Sequence, residues 1–79
     1  MNKEKILEKI NEIFGDAFDR ENLSVGFETT ASDVEGWDSL MLMNLLEMIE
    51  DEFNMRFSMD EAVGMKNVGE MIDIILTRI

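Results

Sequence analysis

Apolar residues recur at helical spacing in three stretches of the chain. In the first, Ile6, Leu7, Ile10, Ile13 and Phe14 follow the three-and-four step of an amphipathic helix, with Lys3, Glu4, Lys5, Glu8, Lys9 and Glu12 on the other faces. Asn2 is a suitable cap for it, and Gly15 either ends the helix or is tolerated within it, so its end is expected between Phe14 and Phe18. The second stretch starts at Asp38 or Ser39 and ends near Asn54. Its Leu42, Leu45, Leu46, Ile49 and Phe53 form one arc predicted to be buried. Leu40 and Met43 sit on the edge of that arc, and Met41 and Met48 fall on the predicted outside. In the third stretch Val68, Met71, Ile72, Ile75 and Leu76 form the stripe, and Asn67 with Glu70 reads as its capping box. Ser58 with Glu61 is a further capping box, for a short helix stopped by Gly64.

The segment from Asp19 to Asp38 has no sustained period. Asn22, Ser24, Gly26, Thr29, Thr30, Ser32, Asp33 and Gly36 are turn and cap formers. Loops this long are uncommon inside small domains and are functional or disordered when they occur. Leu23, Val25, Phe27 and Val34 can pin this one to a core, so it is expected to be ordered. The pattern as a whole predicts an all-α bundle of three main helices and one short one, with a long first loop.

Composition narrows the chemistry. The 79 residues suffice for a single domain, 1–79, with a thin core. Absence of cysteine excludes a disulfide framework and a thiolate metal site, and absence of histidine removes the commonest general base and transition-metal ligand. Most hydrolase and redox mechanisms are therefore poor candidates. Eighteen acidic against seven basic residues give a net charge of −11, which disfavours nucleic acid and anionic membrane surfaces and favours a basic protein partner or a divalent cation. Apolar side chains stranded on an acidic face, as predicted for Met41 and Met48, suggest a contact surface. Asp33, Glu35 and Asp38 do not follow a calcium-loop pattern, because the glycine comes too early and a closing glutamate has no match, so no metal site is expected. No apolar run reaches membrane-spanning length and the N-terminus lacks a signal-peptide core; a monomer in a reducing cytoplasm is expected.

The candidate chemistry sits where the long loop meets the second helix, at Trp37-Asp38-Ser39-Leu40. First-turn N–H groups have no partner inside a helix and carry the positive end of its dipole. A phosphate on Ser39 would be held favourably there, with Asp38 as the cap. The same tetrapeptide is also an ordinary helix cap with nothing attached.

The wider context decides between these. Asp38-Ser39-Leu40, followed by an amphipathic helix that ends in Glu50-Asp51-Glu52-Phe53 and preceded by Asp33-Val34-Glu35-Gly36-Trp37, resembles the acyl carrier protein family. Phe57, the short capped helix and the last helix match the rest, so the resemblance covers nearly the whole chain and is weakest in the first loop. It implies that Ser39 carries a 4'-phosphopantetheine arm taken from coenzyme A by a separate phosphopantetheinyl transferase, and that the thiol of the arm holds acyl cargo as a thioester. It implies that Asp38 helps orient Ser39 during modification. It also implies that Leu40 contacts acyl-loading and acyl-processing enzymes and that acidic residues of the second helix meet basic docking patches on them; Glu47, Glu50 and Asp51, with Leu40 and Met43 as the apolar contact, are the expected docking face.

Departures from the family pattern are Met41 and Asn44, where fatty-acid carriers often hold polar or acidic residues, and Ser58 in place of a common proline. Together with Trp37 they suggest a specialised carrier and not the housekeeping one. A peptidyl or aminoacyl carrier, and an unmodified helical adaptor in which Ser39 is only a cap, remain as alternatives. A flexible aliphatic cargo is further expected to be able to lie between the second and third helices, beside Phe57, Ala62, Val63 and Met65.

Overall fold

The computed structural model describes residues 2–79. Its elements are α1 (Lys3–Phe18), a single 3-10 turn (Ala31–Asp33), α2 (Ser39–Phe53), α3 (Met59–Gly64) and α4 (Val68–Leu76), with no strand among the described residues. Each helix begins where a short polar side chain can accept an otherwise unpartnered N–H. Asn2 accepts from Lys5 N at 2.9 Å, Asp38 from Met41 N at 2.8 Å, Ser58 from Glu61 N at 3.1 Å and Asn67 from Glu70 N at 2.9 Å. Gly15 is tolerated inside α1, which ends at Phe18, and the left-handed turn that stops it falls on Asp19. Asn54 plays the same part after α2.

The Ser58–Glu61 box is complete, since the Glu61 carboxylate also accepts from Ser58 N at 2.9 Å. The second expected box forms only half. Asn67 caps α4, but the Glu70 carboxylate accepts from Lys66 N at 3.1 Å and not from Asn67.

The core is built on α1, α2 and α4. Ile6, Ile10, Ile13 and Phe14 meet Leu45, Leu46 and Ile49, with Val68, Met71, Ile72 and Ile75 closing the third side. On α2 the fully buried residues are Leu45, Leu46 and Ile49, and a broader set of apolar side chains packs around them. Met41 and Met48, expected outside, are half-buried against the core, as are Leu42 and Phe53. The apolar residues that do stand out are Leu40, 81% exposed, and Met43, 53% exposed.

The loop from 19 to 38 is ordered, and part of its anchoring is polar. Val25 and Val34 are buried and Leu23 is half-buried, as expected. Phe27 does not enter the core (38% exposed), and its contribution is its carbonyl, which accepts from Gly69 N at 2.7 Å. The Thr29 carbonyl accepts from Val68 N at 2.9 Å, so the loop satisfies first-turn donors of α4. Asn11 of α1 grips Val25 from the other side: its Oδ1 accepts from Val25 N at 2.7 Å and its Nδ2 donates to Val25 O at 3.1 Å. The 3-10 turn lies inside what the sequence reads as irregular loop. It is held by Asp33, which accepts from Thr30 N at 2.9 Å and from the Thr30 hydroxyl at 3.1 Å.

Candidate functional site

Ser39 is the first residue of α2 and is exposed. Asp38, in extended conformation, ends the loop and turns its carboxylate onto Met41 N, while its carbonyl accepts from Leu42 N at 2.8 Å. Two of the first-turn donors are thereby satisfied. The N–H groups of Ser39 and Leu40, and the Ser39 hydroxyl, form no hydrogen bond among the described residues. A serine that must cap its own helix turns its oxygen inward; here the neighbouring aspartate takes that task and the serine oxygen is free. The arrangement fits a phosphate diester on Ser39, since the start of a fifteen-residue helix offers free N–H donors and its positive dipole end.

On the incoming side, Trp37 is half-buried with its indole edge-on to the Phe14 ring, 5.2 Å between centroids and 82° between planes. The Trp37 backbone N–H donates to Val34 O at 3.2 Å, closing a turn just before the cap. Gly36 has φ +90°, a conformation that disfavours any side chain.

The exposed face of α2 carries Leu40, Met43, Asn44, Glu47 and Asp51 on one side of the helix. No charged residue occurs between Ser39 and Leu46, so this face is apolar beside the serine and acidic further along. Ser39 to Glu47 spans roughly 12 Å along the axis at about 1.5 Å per residue. Glu50 is placed differently from the other acids. Its side chain is 18% exposed, one carboxylate oxygen accepts from Phe57 N at 2.8 Å, and the other lies 3.8 Å from Arg56 Nη1. Its carboxylate is turned onto the segment between α2 and α3, a role that sequence reasoning missed because the partner is a backbone N–H seven residues away.

Between α2 and α3 lies a groove of about 440 Å³ lined by Met43, Leu46, Glu47, Phe57, Met59 and Ala62, among others. Val63, expected to face α2, points to solvent at 76% exposed. Asp33 and Asp38, two of the three acids weighed as a calcium loop, are committed to capping the 3-10 turn and α2.

The profile of a family described as phosphopantetheine attachment site matches residues 8–75. The acyl carrier protein of Exiguobacterium sibiricum is 30% identical over 79 residues, covering all of both chains. That of Lactobacillus acidophilus is 31% identical over 75 residues, covering 95% of this chain and 94% of its own. The solution NMR structure of the holo acyl carrier protein from Geobacter metallireducens superposes with a TM-score of 0.84 at 33% identity, covering 91% of this chain and 83% of that one. A free serine hydroxyl at a dipole-favoured helix start, in a chain matched over nearly its whole length by these proteins, places it in the acyl carrier protein family, which works through a covalently attached 4'-phosphopantetheine.

Proposed function

We infer that Ser39 is the attachment point of the arm, that Asp38 keeps its hydroxyl available, and that the exposed face of α2 is where the partner enzymes dock. The observation that carries the reading is the division of work at the helix start: Asp38 accepts from Met41 N, and the Ser39 hydroxyl and two first-turn N–H groups are left for a phosphate. When bound, phosphopantetheine supplies a terminal thiol that holds acyl cargo as a thioester, which a chain without cysteine cannot do itself. The residues of this chain hold, orient and present; the chemistry of attachment and acyl transfer belongs to the transferase and to the acyl-loading and acyl-processing enzymes. Leu40 and Met43 supply apolar contact beside the serine, and Glu47 and Asp51 supply charge for basic patches on those enzymes. Glu50 contributes to that field from the edge of the face while bonding Phe57 N. A cytoplasmic location belongs to the same reading, because coenzyme A is the source of the arm.

The test is intact-protein mass after incubation with coenzyme A, magnesium and a broad-specificity phosphopantetheinyl transferase. The wild type should gain the mass of one arm and Ser39→Ala none. An unchanged wild-type mass would instead support an unmodified adaptor.

A further inference from the structure

Lys3, Lys5, Lys9, Arg56 and Arg78 each lie within ion-pair distance of a carboxylate. The guanidinium of Arg20 is used differently. Its Nη2 donates to the backbone carbonyl of Glu35 at 2.9 Å, across fifteen residues of chain, while its Cζ stands 5.7 Å from the centroid of the Phe18 ring. Gly36 runs directly over this pair: a Cβ there would lie 3.7 Å from the Phe18 ring and 3.9 Å from Arg20 Nη2. Phe18 in turn packs on Phe14 at 5.8 Å between centroids, and Phe14 receives the edge of Trp37. The C-terminal end of α1 and the residue after its left-handed turn thus form a clasp that closes the long loop on itself just before Asp38.

The two sides of Ser39 are therefore fixed by separate devices. Asp38 fixes the helix side. The clasp fixes the incoming turn, 35–37, whose Gly36 forms one rim of a shallow depression of about 560 Å³ beside the serine, with Asp38, Leu40, Met41 and Met43 among the remaining lining.

We propose that Arg20 is a positioning residue for the modification of Ser39, holding the Glu35–Trp37 turn as a rigid rim of the surface on which the transferase seats. The proposal rests on the reading of Ser39 as the attachment point. It makes a prediction of opposite sign to simple electrostatics. Arg20 places positive charge beside a face that attracts basic partners, so removing the charge should speed encounter if charge were its whole effect. If the clasp matters, removing it loosens the rim and weakens docking.

The experiment measures transferase kinetics on wild type, Arg20→Met and Arg20→Lys, with Trp37 emission and the backbone amide shifts of residues 35–39 recorded on the same proteins. A rim loosened by loss of this hydrogen bond must be re-ordered on docking, so Arg20→Met should raise KM about three- to tenfold. Its kcat should stay within about twofold of the wild type, since the hydroxyl itself is unaltered. The Trp37 emission and amide shifts should move while helical content is kept. Arg20→Lys, which retains a donor and the charge, should recover most of the loss. A KM for Arg20→Met equal to or below that of the wild type, or unmoved Trp37 and amide signals, overturns the proposal while leaving Ser39 in place. A wild type that gains no arm, or a Ser39→Ala variant that gains one, removes the reading of Ser39 and the role of Arg20 with it.

Discussion

Asp38 and Ser39 show how much one position of offset matters. Were the cap one residue later, the serine oxygen would be spent on Leu42 N; with Asp38 as the cap, Met41 N is satisfied at 2.8 Å and the exposed Ser39 keeps its hydroxyl unbonded. Glycines carry a comparable positional meaning. A Cβ on Gly69 would sit 2.7 Å from the Phe27 carbonyl oxygen, a backbone atom that also accepts the Gly69 N–H. Gly69→Ala must therefore push the first loop off the start of α4 and should destabilise the fold by about 1–3 kcal/mol in urea titration. Gly64 meets nothing within 4 Å, so Gly64→Ala at the end of α3 should be neutral or slightly stabilising by the better helix propensity of alanine. Equal effects of the two substitutions would contradict the close-approach argument. Residue chemistry that depends on near neighbours was legible in the sequence: the caps at Asn2, Asp38, Ser58 and Asn67 form as their spacing implies. Asn11 and Arg20 were not, because their partners are backbone atoms of Val25 and Glu35, fourteen and fifteen residues away, and nothing local marks a side chain for such a bond.

Among the elements, α2 departs from its helical wheel at the edges of the buried arc, where Met41 and Met48 are half-buried. A helical wheel finds the centre of the buried arc at Leu45, Leu46 and Ile49, but its width depends on how many neighbours the helix has. The helix packs most closely on α1, Met41 and Met48 pack on the common core, and the apolar residues left outside are Leu40 and Met43. The short α3 is held by its buried Ala62 and by a polar fastening in its first turn. Glu61 accepts from Ser58 N and lies 2.6 Å from Arg78 Nη2, past the end of α4. The backbone bond from Ser58 and the bond and charge of Arg78 hold its carboxyl below the usual carboxylate value. A carboxylate whose folded pKa is depressed contributes stability above its unfolded pKa, and that contribution is lost as pH falls through the folded value. On acidification below the ordinary carboxylate range, α3 should therefore loosen. Glu61→Gln should show this loosening already at neutral pH and respond less to acid, as read from the amide shifts of residues 58–64. Matching acid responses of the two proteins would sink this account of how α3 is fastened.

At the scale of the whole molecule, the charge of −11 opposes compactness and creates a long-range field. Glu47 and Asp51 are exposed on the same face as Leu40 and Met43, and exposed charges contribute little to folding. Glu47→Lys combined with Asp51→Lys should slow modification by the transferase by about three- to tenfold at low salt, with helical content unchanged. Raising the salt should slow the wild type and narrow the gap, because screening shortens the reach of charge to about 8 Å at physiological ionic strength. Equal rates at low salt would mean that these acids only solvate the helix. Peptide-level mass spectrometry of protein co-expressed with a transferase reads the position of the arm itself. Ser24, Ser32, Ser39 and Ser58 are the serines available. With Ser39 as the attachment point, fragmentation places the phosphopantetheine on Ser39 and on no other residue; an arm on Ser24, Ser32 or Ser58, or a Ser39 peptide found wholly unmodified, would overturn that assignment.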